Sequence, residues 1–176
     1  MNPIVALLLA RYRLLPDDRG PCWYDVEGAR IRRLARAVGQ DEGRVLLATA
    51  ILSPATRWEY LLARLPAFLV DPLTPMPTYG RNRRLARAAL EGASVPTGPK
   101  VSRFARNLSG DHSCVTIDRW AARAAGYPES GRVRWYRALE SAYQGAAERA
   151  GRSPAHFQAI LWLAIRSGHL PRLKRA

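Results

Sequence analysis

Cysteine and histidine are scarce in this sequence of 176 residues, and their scarcity excludes several kinds of site. Two cysteines, Cys22 and Cys114, are too few for a disulfide scaffold, an iron–sulfur cluster or a cysteine-based zinc site. The three histidines are scattered without metal-ligand spacing. We therefore expect no metal centre, and the low cysteine content fits a reducing cytoplasm.

Long hydrophobic runs are also missing. The apolar run at residues 4–10 is too short to span a bilayer. No cationic segment precedes it and no small-residue cleavage site follows it, so we expect neither a signal peptide nor a membrane anchor. Persistent strand alternation, internal repeats and low-complexity linkers are absent as well.

Positive charge is abundant, and nearly all of it is arginine. Lys and Arg number 28 against 14 Asp and Glu, a formal net charge of +14, and Lys100 and Lys174 are the only lysines. Such a surplus attracts polyanions, chiefly nucleic acid. The planar guanidinium fork suits phosphate oxygens. A merely basic surface, or GC-rich coding, would give the same bias.

Helical periodicity dominates a chain that is 48% hydrophobic. Caps and breakers predict eight or nine helices, over residues 2–15, 23–38, 42–52, 55–69, 79–91, 99–108, 117–126, 132–150 and 154–167. The apolar stretch in 42–52 predicts a central helix. We expect an all-α fold of two helical lobes around a cleft, the chain returning from the second lobe to the first.

Residues 96–120, PTGPKVSRFARNLSGDHSCVTIDRW, carry the strongest chemical signal. Lys100 is predicted at a helix start, where the positive end of the helix dipole disfavours its ammonium form. Asp118 is predicted at another helix start, which holds a carboxylate ionised. A neutral amine beside a carboxylate forms a nucleophile with an electrostatic partner.

The elements GPKVSRFARNL and VTIDRWAARAA resemble the helix-hairpin-helix DNA glycosylase superfamily, in its bifunctional glycosylase/AP-lyase branch of endonuclease III and 8-oxoguanine glycosylase. Small phage and actinobacterial proteins without an iron–sulfur cluster carry similar elements. The resemblance places the hairpin near residues 84–108, with one glycine where the family usually has two. It implies Lys100 as the Schiff-base nucleophile, Asp118 as the catalytic aspartate and no cofactor.

The same resemblance covers two upstream segments, ATAILSPATRW at 48–58 and TYGRNRRLARAAL at 78–90. It assigns one lobe to about 55–126 and the other to 1–54 and 130–170. The DNA-binding residues it implies are Arg57, Arg81, Asn82, Arg84, Thr97, Gly98 and Arg103. The base-pocket candidates are Ser53, Trp58, Trp120, Gln158 and Trp162.

Each of these residues has a structural alternative. Lys100 could serve only as a phosphate clamp, and Asp118 only as a helix cap. The arginines could form a solvated face, and the tryptophans could belong to the core. Gln158 reads either as a base-recognising amide or as a buried, satisfied one.

The sequence therefore predicts a monomeric, cytoplasmic and nucleoid-associated DNA glycosylase with AP-lyase activity. Its partner would be double-stranded DNA containing a damaged or modified base or an abasic site, and no membrane. Two rivals stay open: a non-catalytic helix-hairpin-helix DNA-binding protein of phage or plasmid origin, and an RNA-binding or ribosome-associated basic protein without a cleft.

Overall fold

The computed structural model describes residues 2–16, 22–127 and 133–170, and within them the chain forms nine α-helices and no strand. The all-α prediction is confirmed. The helices are α1 Pro3–Arg13, α2 Trp23–Ala37, α3 Glu42–Leu52, α4 Trp58–Val70, α5 Gly80–Leu90, α6 Pro99–Leu108, α7 Arg119–Ala124, α8 Val133–Arg149 and α9 Pro154–Arg166. None of the described helices is long and apolar enough to cross a membrane.

Local capping chemistry sets several of these boundaries. The Asn2 side chain accepts a hydrogen bond from the Ile4 N–H at 2.9 Å, and the Asp41 side chain accepts one from Arg44 at 2.8 Å. Pro99 stands at the first position of α6, where its missing N–H costs no helical bond. Because these signals are local, they were readable from the sequence.

The start of α4 differs from the prediction of a helix from residue 55. Ala55 has a positive φ of 62°, which a right-handed helix cannot include. Thr56 donates its hydroxyl to the Pro77 carbonyl, and Thr78 donates to the Pro54 carbonyl at 3.0 Å. These bonds tie the α3–α4 loop to the α4–α5 loop, and the helix begins only at Trp58.

The chain divides into two compact units. Unit 1 comprises Met1–Tyr24 and Gly110–Ala176, and unit 2 comprises Asp25–Ser109. A unit built from both ends of the chain was expected, but with divisions near residues 54 and 126. The difference arises because α3 packs against α5, α6 and α4, which assigns it to unit 2, whereas α7 packs against α9 in unit 1.

Unit 2 is organised around α3. This helix is buried along most of its length, with Val45, Ala48, Ala50 and Leu52 fully inaccessible to solvent. Helices α5 and α6 each pack on α3. The prediction of a central apolar helix at residues 42–52 is confirmed for this unit.

Gly28 in α2 marks a second tight contact in unit 2. A Cβ at this position would collide with the backbone carbonyl of Leu108, the last residue of α6. That carbonyl also accepts a hydrogen bond from Arg32 at 3.0 Å, so it has little freedom to move. We expect Gly28→Ala to lower the free energy of unfolding by about 1–3 kcal/mol, the usual cost of overpacking.

Urea titration followed by circular dichroism measures this effect. Gly98→Ala is the matched control, because a Cβ there meets nothing within 4 Å and its φ of −73° suits any residue. Equal stability of the two variants would contradict the close approach of α2 to the end of α6.

Candidate functional site

Helix α5 in unit 2 is the most cationic element of the described chain. Its sequence, GRNRRLARAAL, contains four arginines and no acidic residue. Tyr79, the N-cap, gives no side-chain hydrogen bond to the helix start, which leaves the positive end of the helix dipole uncompensated. Among the residues described, no carboxylate forms an ion pair with an α5 arginine.

Three of these arginines line a cavity of about 250 Å³ in unit 2. Its wall consists of Pro72, Leu73, Thr74, Gly80, Arg83, Arg84 and Arg87. The α5 residues in this wall are Gly80, Arg83, Arg84 and Arg87. Their spacing of i, i+3, i+4 and i+7 puts them on one helix face. Arg84 was predicted from the sequence to be a DNA-binding residue. No sequence pattern singles out Arg87, because the surface that it contacts is the α4–α5 loop.

Hydrogen bonds fix the loop side of this cavity. Arg87 donates to the Pro72 carbonyl at 3.1 Å, and the Leu73 N–H donates to the Asp71 side chain at 2.9 Å. The Nε of Arg87 is buried and has no hydrogen-bond partner among the described residues.

Residues 91–98 connect α5 to α6. Helix α5 ends in a Schellman motif, in which Gly92 has a φ of 87° and the Ala93 N–H donates to the Ala88 carbonyl at 2.9 Å. Residues 93–98 then run without regular structure to Gly98, the N-cap of α6. Helices α5 and α6 pack on α3 and make little contact with each other.

Lys100 lies where the sequence predicted it, at the second position of α6 in unit 2. Its side chain is half-buried. Arg103 on the same helix is half-buried too, as is Thr97, whereas Gly98 is exposed. The helix start thus carries one lysine and no acidic residue in its first turn.

Asp118 in unit 1 is the N-cap of α7. Its Oδ1 accepts both capping hydrogen bonds, from the Trp120 N–H at 2.9 Å and the Ala121 N–H at 2.8 Å. These two bonds give partners to two N–H groups that the start of α7 would otherwise leave unpaired. Its other oxygen, Oδ2, has no hydrogen-bond partner among the described residues and is left for a further interaction.

The segment preceding Asp118 is fixed by α8. The Tyr136 hydroxyl accepts from the Ile117 N–H at 3.0 Å and donates to the Val115 carbonyl at 2.9 Å. The Val115 N–H donates to Glu140 at 3.5 Å. Since Val115 and Ile117 are buried, these bonds give partners to both of their N–H groups and to the Val115 carbonyl, which holds the segment that leads to Asp118.

Tyr143, also in α8, connects that helix to α7. Its fully buried hydroxyl donates to the Ala121 carbonyl at 2.8 Å. Burial raises the pKa of Tyr143 well above its usual value, and the negative charge of Asp118 adds to the rise, while Arg11 opposes it. Tyr143 therefore stays a neutral hydrogen-bond donor at physiological pH.

Three α8 residues that hold this segment and α7 in place were not predicted from the sequence. Tyr136, Glu140 and Tyr143 follow the spacing i, i+4 and i+7, so they share the buried face of an amphipathic helix. Three polar-tipped side chains on such a face are the signal that could have found them.

Two of the remaining candidates of unit 2, Trp58 and Ser53, have structural partners. Trp58 is buried, with its ring in edge contact with Phe104 at a centroid distance of 5.6 Å. Ser53 caps the end of α3 and donates to the Ala50 carbonyl at 2.9 Å. Arg57, at the N-cap of α4, is exposed, and Asn82 is half-buried in the first turn of α5.

The unit 1 candidates are two tryptophans and one amide. Gln158 is 2% exposed and accepts a hydrogen bond from the Tyr24 hydroxyl at 2.6 Å, as a buried, satisfied amide does. Trp162 is half-buried, with the Trp23 ring at 5.1 Å and the Arg166 guanidinium at 4.7 Å.

Trp120 is half-buried between two cations. The guanidinium carbons of Arg119 and Arg123 lie 5.3 and 4.7 Å from the centre of its ring. Both distances are within the range of cation–π attraction. A positively charged aromatic surface thus lies directly beside Asp118.

One possible pair of metal ligands in unit 1 escaped sequence reasoning. Cys22 Sγ and a ring nitrogen of His112 lie within 4.8 Å of each other. The two residues are far apart in the sequence, so no ligand spacing could reveal them.

The fold and these surfaces define an all-helical, strongly basic protein with an arginine-lined cavity in one unit and a supported, capping aspartate in the other. A family model described as "Family of unknown function (DUF7178)" matches residues 15–169, and the chain belongs to that family. No curated protein and no solved structure matches the chain.

Proposed function

We propose that the protein binds double-stranded DNA through unit 2 and acts on the sugar of a flipped nucleotide as a DNA glycosylase and AP lyase. The observation that carries the binding is the charge of α5, with four arginines, no acid and an uncapped start. Phosphate contacts supply most of the affinity of such surfaces for DNA. The protein would act as a monomer in the nucleoid.

Replacing Arg81 and Arg84 with alanine should weaken binding to all duplex sequences alike. Phosphate contacts carry no sequence information, and each lost contact lowers the slope of log K against log salt concentration by about 0.9. Fluorescence anisotropy of a labelled duplex, measured at several salt concentrations, gives both quantities.

Arg30→Ala in α2 is the matched control for this experiment. Arg30 is exposed and lies 4.0 Å from Glu27, so its charge is already partly neutralised. An unchanged affinity and slope in the Arg81 and Arg84 variant would show that these arginines are only a solvated helix face.

The catalytic part of the proposal rests on Lys100 and Asp118, together with the family resemblance of their segments. Lys100 stands in the first turn of α6, at the positive end of the helix dipole. Asp118 keeps Oδ2 for a developing positive charge, while Oδ1 caps α7.

In the proposed reaction, the lone pair of Lys100 Nζ forms a bond to C1′ of the flipped nucleotide. The bond from C1′ to the base breaks, and its electron pair leaves with the base, which takes up a proton. The negative charge of Asp118 stabilises the cationic sugar in the transition state. Opening of the C1′–O4′ bond gives a Schiff base, and loss of a C2′ proton then expels the 3′ phosphate.

Borohydride trapping with an abasic-site duplex tests this chemistry. Reduction of the Schiff base would leave a covalent protein–DNA adduct, visible as a shifted band on a denaturing gel. The test does not require knowing which base the protein removes, because an abasic site is already the substrate of the lyase step.

A second candidate is a DNA-binding protein without catalysis, and the α5–α6 connection favours it. Residues 93–98 do not form a compact turn, and α5 and α6 make little contact with each other. In that protein Lys100 would be a phosphate clamp. Binding to abasic duplex without any trapped adduct would support it.

A further inference from the structure

The cavity beside the start of α5, defined above by its seven lining residues, places its arginines around one recess, which general attraction to a polyanion does not require. On its α5 side, the guanidiniums of Arg83 and Arg84 both lie close to Gly80. A Cβ on Gly80 would lie 3.8 Å from a terminal nitrogen of Arg83 and 3.9 Å from one of Arg84. Arg87 adds a third cation to the same wall.

Electrostatic repulsion makes such a convergence costly without an anion. No acidic side chain lines the cavity. Asp71 on the adjoining loop accepts the Leu73 N–H and does not line the cavity. The uncapped start of α5 adds backbone N–H donors and the positive end of the helix dipole to the same side.

The shape of the site selects among anions. A cavity of about 250 Å³ holds a phosphate group together with several waters, each taking about 30 Å³. A phosphodiester within a duplex continues on both sides and carries one negative charge. A phosphomonoester ends the chain, offers three oxygens and carries a charge of about −1.5 to −2 at neutral pH.

We propose that this cavity binds a phosphomonoester, with Arg83, Arg84 and Arg87 as its cationic ligands. Bidentate guanidinium contacts match its oxygens. The Arg87–Pro72 and Leu73–Asp71 hydrogen bonds hold the loop wall in place before the ligand arrives. Only the source of the ligand depends on the proposed binding of DNA.

Two sources share this chemistry, a nucleic-acid strand end and free phosphate. The rim favours a strand end, since Leu73 lies on it with 71% of its surface exposed. Tyr79, which is 63% exposed, immediately precedes Gly80. Apolar and aromatic groups contact sugars and stack on bases, which inorganic phosphate lacks.

The experiment compares three labelled DNA hairpins that carry a 5′ phosphate, a 3′ phosphate or no terminal phosphate. We expect wild-type protein to bind one phosphorylated hairpin about tenfold more tightly than the unphosphorylated one, as charge-assisted hydrogen bonds allow. Arg84→Gln should reduce this preference to nearly onefold.

Two variants separate the cavity from general charge. Gly80→Leu leaves the net charge unchanged but fills the space between the guanidiniums, so it should remove the preference and keep the affinity for the unphosphorylated hairpin. Arg81→Gln removes the same charge from the same helix, but Arg81 does not line the cavity. It should weaken binding to all three hairpins by the same factor.

Inorganic phosphate, titrated at constant ionic strength, forms the second arm. If it raises the melting temperature of the wild type but not of Gly80→Leu, while the three hairpins bind equally, free phosphate is the source. If neither arm depends on Gly80 or Arg84, the phosphomonoester site is overturned. Lys100→Gln should keep the end preference, so a failure of the catalytic proposal leaves this result unaffected.

Discussion

Lys100→Gln is expected to abolish both borohydride trapping and strand nicking on abasic duplex. A Schiff base needs an amine, and an amide cannot supply one. DNA binding should remain mostly intact, because the variant removes one cation from a chain with 28 Lys and Arg. Denaturing gels measure trapping and nicking, and anisotropy measures binding.

Lys100→Arg is the sharper control for the same residue. It keeps the positive charge at the start of α6, so a phosphate clamp would survive, but a guanidinium stays protonated at working pH and cannot attack. Trapping by Lys100→Arg at the wild-type level would move the nucleophile elsewhere. Lys174, the other lysine, lies outside the described residues.

Asp118→Asn is expected to slow base release by about 10²-fold or more, the effect of removing one electrostatic stabiliser of a transition state. Asparagine caps helices about as well as aspartate, so its side-chain oxygen can still accept from Trp120 and Ala121. The free energy of unfolding should therefore change by less than about 1 kcal/mol.

Comparing Asp118→Ala with Asp118→Asn separates the role of the charge from the role of the helix cap. Asp118→Ala loses both, so it should release the base as slowly as Asp118→Asn and also lose about 1 kcal/mol of stability. Trapping on a pre-formed abasic site should persist in both variants, since that substrate has already lost its base. Base release by Asp118→Asn at the wild-type rate would leave Asp118 with only its capping role.

The positions of the helices could be read from the sequence because their signals are local. Asn2, Asp41 and Ser153 cap helices as predicted, and the described bounds follow the expected ones closely. The exception is instructive. Residues 55–57 lie between two helices and were predicted as helical, but the Thr56 hydroxyl bonds to the Pro77 carbonyl and α4 begins only at Trp58. No local sequence pattern indicates a partner that far along the chain.

The placement of the candidate residues was likewise predictable, but their surroundings were not. Lys100 and Asp118 each lie at a helix start, as their flanking residues indicated. The free Oδ2 of Asp118 follows from the choice of Oδ1 for both capping bonds, which is a matter of side-chain geometry. The hydrogen bonds formed by Tyr136 required α8 to pack against residues about twenty positions earlier.

The sequence by itself determined the helical class, most of the helix ends, the excess of arginine and the identity of the two candidate catalytic residues. Tertiary structure alone decided which helices share a unit and that Arg83, Arg84 and Arg87 face the Pro72–Thr74 loop across a cavity. The physical reason is that periodicity marks which face of a helix is buried. The partner of that face is selected by the shapes of surfaces distant in the chain, which no local pattern encodes.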